Sequence, residues 1–164
     1  MAINNKSYSN LIDTLKNLGK AHQQISTTTT GDIYDIDLDK NTKYILMHIN
    51  NGSVTTGRVG LTYNFRIFIM NIVENDSSNE QEVYNETLAI CVDIISIFRN
   101  SQWQSQVTLD INTPVYFTEG EYTLEPFKER FDQSVCGWTF EIGINVENNF
   151  QTCLIPMNDN VIGQ

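Results

Sequence analysis

Apolar residues recur at helical spacing over residues 8–25, where Tyr8, Leu11, Ile12, Leu15, Leu18, His22 and Ile25 share one face. Ser7 or Ser9 is placed to cap the start. Gly19 interrupts the pattern at a cost of about 1 kcal/mol relative to alanine. The run Thr27 to Thr30 and Gly31 end this element. The pattern then changes to alternation. In residues 32–39, Tyr34, Ile36 and Leu38 fall on one strand face and Asp35, Asp37 and Asp39 on the other. Residues 43–49 read as a short apolar strand. Asn50 to Gly60, with Asn51-Gly52, Gly57 and Gly60, reads as a flexible hairpin loop. Residues 61–73 give the strongest strand pattern, with Leu61, Tyr63, Phe65, Ile67, Ile69 and Val73 on one face.

A polar break follows. Ser77 and Ser78 stand three residues before Glu80 and Gln81, a capping-box spacing that predicts a helix running to about Phe98. Its apolar stripe is wide: Tyr84, Leu88, Cys91, Ile95 and Phe98, broadened by Val83, Ile90, Ile94 and Ile97. A stripe of that width predicts a helix lying across a sheet. Residues 106–111 read as a strand ended by Pro114, and 117–137 as irregular with a short helix beginning at Pro126. Residues 138–147 alternate, with Trp138, Phe140, Ile142, Ile144 and Val146 on one side, and 148–164 read as a polar tail. This order predicts one α+β domain, a small antiparallel or mixed sheet with helices packed on one face. A chain of 164 residues suits a single domain with its own core.

Charge narrows the functional classes. Twenty acidic residues against ten basic ones give a net charge of −10. A nucleic-acid reader carries a basic stripe instead, and an anionic membrane repels such a chain. No stretch has the length and apolarity of a membrane span. The first ten residues lack the apolar core of a signal peptide, so synthesis and retention in a cytoplasm are expected. Cys91, Cys136 and Cys153 form no CxxC pair and suggest neither a disulfide framework nor a zinc site.

No assembled catalytic motif is visible. Asp35, Asp37 and Asp39 suggest calcium, but the glycine and glutamate that an EF-hand loop needs are replaced by Lys40 and Leu46. His22 and His48 lie in apolar patterns without a nucleophile motif beside them. Gly57-Arg58-Val59-Gly60 lacks the ending of a phosphate loop. No metal or cofactor is expected. The segment 117–138 crowds Phe117, Tyr122, Phe127, Phe131 and Trp138 together. Such rings either cover the end of the domain's own core or meet a neighbouring chain.

Two segments carry a resemblance. Residues 61–100, LTYNFRIFIMNIVENDSSNEQEVYNETLAICVDIISIFRN, and 117–148, FTEGEYTLEPFKERFDQSVCGWTFEIGINVEN, resemble successive parts of neck and tail structural proteins of tailed bacteriophages, closest to those of crAss-like phages. The resemblance covers about half the chain. It implies a tail-terminator-like fold and a virion subunit, in a head–tail connector or tail-terminator ring, assembled in the host cytoplasm. Its implied partners are further copies of itself in a closed ring, neighbouring neck, portal-associated or tail proteins, and DNA as passing, non-specific cargo, with no membrane. On this reading Asn51, Gly52, Gly57, Arg58, Phe117, Tyr122, Phe127 and Phe131 are candidates for the subunit interface. Asp35, Asp37 and Asp39 are candidates for an acidic lumen that keeps phosphate from adhering. The alternatives are another tail or baseplate adaptor, and a small enzyme with a site near His48 and the Asp35–Asp39 face.

Overall fold

The computed structural model describes residues 7–33, 42–100, 118, 120–130, 133–147, 150 and 155. The first apolar stripe forms helix α1, Ser7–Ala21, which buries Leu11, Leu15 and Leu18. Gly19 is needed for close approach. A Cβ there would overlap Thr28 Oγ1 and stand 3.1 Å from Met47 Sδ, so α1 sits directly on the strands beneath it. The helix ends before residue 25, although Ile25 remains buried in the same core.

Among the described residues the sheet has five strands: β1, Thr27–Thr30; β2, Leu46–Thr56; β3, Gly60–Ile72; β4, Glu125–Arg130; and β5, Ser134–Glu147. Their spatial order is β1-β2-β3-β5-β4. The sheet is mixed, because β1 runs parallel to β2 while the other pairs are antiparallel. Helix α2, Glu80–Arg99, connects β3 to the second half of the chain.

Pairing explains the main core. Met47 and Ile49 of β2 stand opposite Ile69 and Ile67 of β3, and Phe65 and Ile67 stand opposite Ile142 and Phe140 of β5. This row of side chains forms one cluster with Leu11, Leu15 and Leu18 of α1 and Ile90, Cys91, Ile94 and Phe98 of α2. Both helices therefore lie on one face, as the wide stripe predicts. On the opposite face Leu46, Phe68, Met70 and Val135 make a second buried cluster, joined by the half-buried Ile33, Tyr44 and Phe127. At this end the sheet is buried on both sides, which is why Phe68, Ile69 and Met70 are buried in succession.

Several expectations change. Thr27–Thr30 is a strand and not a terminator, because a parallel edge strand needs no apolar alternation when its neighbour supplies the ladder. The capping box does not form. Ser77 takes a left-handed φ of 57° in the preceding turn, and Asn79 is the N-cap residue. Its side chain makes no cap bond; the amide oxygen accepts from Glu74 N–H at 2.9 Å instead. Pro126 starts no helix. It lies in β4, an edge strand, where a missing N–H leaves no ladder bond unmade. The expected strands at 34–39 and 106–111 and most of the tail at 148–164 lie outside the described residues.

A candidate assembly surface

The segment expected to be a loop is an arm. Asn51 to Thr56 continue β2 and pair with β3, with one irregularity between Asn51 and Val54. The physical reason is local. Gly52 fits against the Asn64 carbonyl, where a Cβ would collide, and Asn64 Nδ2 donates to Ser53 O at 3.1 Å. The turn closes over Gly57-Arg58-Val59-Gly60, with Gly57 N–H donating to Gly60 O at 2.7 Å. A side chain at Gly60 would stand 2.5 Å from Val146 O, which holds the tip against β5. Thr62 Oγ1 donates to Asn145 Oδ1 at 2.8 Å and ties β3 to β5 on the same arm.

Residues 51–59 are exposed without alternation, so neither face of the arm's outer strand is covered. Val54 is 47% exposed and Val59 is 75% exposed. A shallow hollow at the tip is lined by Arg58, Val59, Leu61, Val146 and Glu147. Arg58 forms no ion pair among the described residues. The structure thus brings four candidates, Asn51, Gly52, Gly57 and Arg58, onto one projecting element.

A related signal in the sequence escapes a count of total charge. Residues 40–73 hold Lys40, Lys43, Arg58 and Arg66 and no acidic residue at all. The net −10 is therefore +4 over this stretch and −14 over the remainder.

The aromatic segment has a different fate. Tyr122 packs against the main core and donates to Gly143 O at 3.3 Å. The Arg99 guanidinium stands 5.9 Å from its ring centre and donates to Gly120 O, which docks the end of α2 on this segment. Phe127 meets Phe68 edge-on at 5.5 Å between ring centres. Trp138 Nε1 donates to Tyr84 O at 2.9 Å, and Tyr84 Oη donates to Phe127 O at 3.3 Å. Of the two destinations open to these rings, Tyr122, Phe127 and Trp138 take the domain's own packing. Phe117 and Phe131 lie outside the described residues, as do Asp35, Asp37 and Asp39.

The two histidines and the described cysteines are engaged in packing contacts. His22 accepts from Gln24 N–H at Nδ1 (3.2 Å), which leaves Nε2–H to donate to Asp93 Oδ2 at 3.1 Å. Both ring nitrogens are used, and the pair joins the end of α1 to α2. His48 is fully buried on the second face of the sheet, with Nε2 3.0 Å from Gly31 O and Nδ1 2.7 Å from Thr29 Oγ1. Burial pushes the Cys91 thiol up to about 12 and also raises Cys136, so neither is a ready thiolate. No cluster of three or more metal-ligating side chains occurs among the described residues. No protein-family model matches the chain, and no curated protein matches it.

Proposed function

We propose that this chain is a virion structural protein, a subunit of a closed ring in the head–tail connector or tail terminator of a tailed bacteriophage. The observation that carries the reading is the segregation of charge and exposure. A bare hairpin arm, whose one charge is Arg58, belongs to the longest acid-free stretch of an acidic chain. Such a subunit is complementary to itself head to tail: the arm of one copy is attracted to the body of the next, and a repeated heterologous contact closes into a ring. The resemblance of residues 61–100 and 117–148 to phage neck and tail proteins supplies the setting. The α+β fold agrees with it. The acidic remainder suits a passage for DNA, because like charge prevents phosphate adhesion. Its partners on this reading are other copies of itself and the flanking neck, portal-associated or tail proteins.

The test is sedimentation of the purified chain at low and high salt. A ring held by arm-to-body charge dissociates as salt rises. An assembly indifferent to salt removes the charge argument.

A further inference from the structure

The outer edge of the arm has no partner strand among the described residues. β1 pairs with β2 only from Leu46 to Ile49, and Gly31 N–H adds one bond to Ile49 O. From Asn50 onward β2 has β3 on one side and no strand on the other among the described residues. Backbone groups alternate in direction along a strand. The Ile49 carbonyl points toward β1, and Gly57 N–H points across the turn to Gly60. Counting inward from these two residues places the N–H and C=O of Asn51, Val54 and Thr56 on the open edge.

Native sheets blunt their edges with charge, proline or cover. The opposite side of this sheet does so. β4 carries Pro126 and four charged residues of six. Where β5 runs past β4, the Gly143 carbonyl accepts from the Thr118 and Tyr122 hydroxyls. The β2 edge, Asn50-Asn-Gly-Ser-Val-Thr-Thr56, has no charge and no proline, and no strand among the described residues covers it.

We propose that the β2 edge from Asn51 to Thr56 accepts an added β-strand from a second copy of this chain. Two arguments choose this occupant. Residues 50–60 carry a single charge, Arg58, and the remainder of each copy is −11, so the arm tip and the body attract. DNA is also negative, but phosphates only accept hydrogen bonds. A polypeptide edge supplies both donors and acceptors for the alternating N–H and C=O groups. The proposal deepens the ring reading by naming the backbone through which subunits join, and it can fail while the ring stands.

Hydrogen exchange on the full chain, read at single amides at concentrations where sedimentation finds monomer and then oligomer, tests it. The amides of Asn51, Val54 and Thr56 slow by about tenfold or more on assembly. Thr56→Pro removes an outward N–H without touching the β3 ladder, and Val54→Glu places on the arm a charge that the acidic body repels. Each raises the concentration for half-assembly by about tenfold. The melting midpoint of Val54→Glu stays at the wild-type value even if proline at residue 56 perturbs the fold. Three results overturn the proposal. One is an oligomer whose three amides exchange as fast as in the monomer, which leaves the ring intact but joined elsewhere. Another is a chain that stays monomeric at every concentration. The third is protection that appears only when duplex DNA is added to monomer, which makes nucleic acid the occupant.

Discussion

Replacing Gly19 with alanine separates helix propensity from packing, because the two predict opposite signs. In an isolated helix the change stabilises by about 1 kcal/mol. Here the new methyl overlaps Thr28 Oγ1 and stands 2.9 Å from Thr28 Cγ2 and 3.1 Å from Met47 Sδ. Thr28 is β-branched, so rotation exchanges one crowding atom for the other. Overpacking of this kind costs about 1–3 kcal/mol. Subtracting the helical gain leaves a net loss of about 1 kcal/mol, or a melting midpoint lowered by about 2–4 °C. Thr28→Ala removes both crowding atoms. In that background Gly19→Ala becomes stabilising, by up to about 1 kcal/mol. Urea unfolding followed by circular dichroism, on the four proteins of this cycle, measures the coupling. A Gly19→Ala protein more stable than the wild type, or one sign in both backgrounds, refutes the seating of α1 on β1 and β2.

Three further outcomes follow from the packing. Thr139 Oγ1 is buried without a hydrogen-bond partner, so Thr139→Val raises stability by about 1 kcal/mol; a loss in chemical denaturation would reveal a bond to that hydroxyl. Burial raises the Cys91 thiol from 9.0 to about 12. The unfolded chain therefore releases this proton first, and the group's contribution is complete below about pH 9 and is lost as pH rises toward 12. Between those values the wild type loses up to about 1.4 kcal/mol per pH unit that Cys91→Ala does not lose. Identical slopes for the two proteins across pH 9–11 would contradict the burial. Phe127→Ala removes a half-buried ring and its edge contact with Phe68, and lowers stability by about 2 kcal/mol. It leaves the concentration for assembly unchanged, because this ring faces its own sheet; sedimentation checks that independence.

The two central strands and α2 were legible because burial imposes a period on them. Alternation through Tyr63, Phe65 and Ile67, and through Phe140, Ile142 and Ile144, follows from one buried face. Elements at the margin of the sheet leave weaker signals. β1 is four threonines, and β4 is charged and contains a proline because it is an edge. Asn51 to Thr56 read as a loop because a strand exposed on both faces has no apolar period to display. Its ladder comes from β3, and its glycines serve close approaches that appear only when Asn64 and Val146 are in place. Of the candidate site, Asn51, Gly52, Gly57 and Arg58 were found for a partly mistaken reason, as a loop and not as an arm. Tyr122 and Phe127 were singled out for aromatic density, which does not distinguish a core from an interface. The charge separation over residues 40–73 was readable from the sequence but is hidden by a single net value.

A cryo-electron microscopy map of an assembled particle containing this chain tests the central claim most directly. The account predicts copies in a closed ring around the DNA axis, each with its β2–β3 arm against the body of the next. Copies standing as isolated monomers on the capsid exterior, away from that axis, would contradict it.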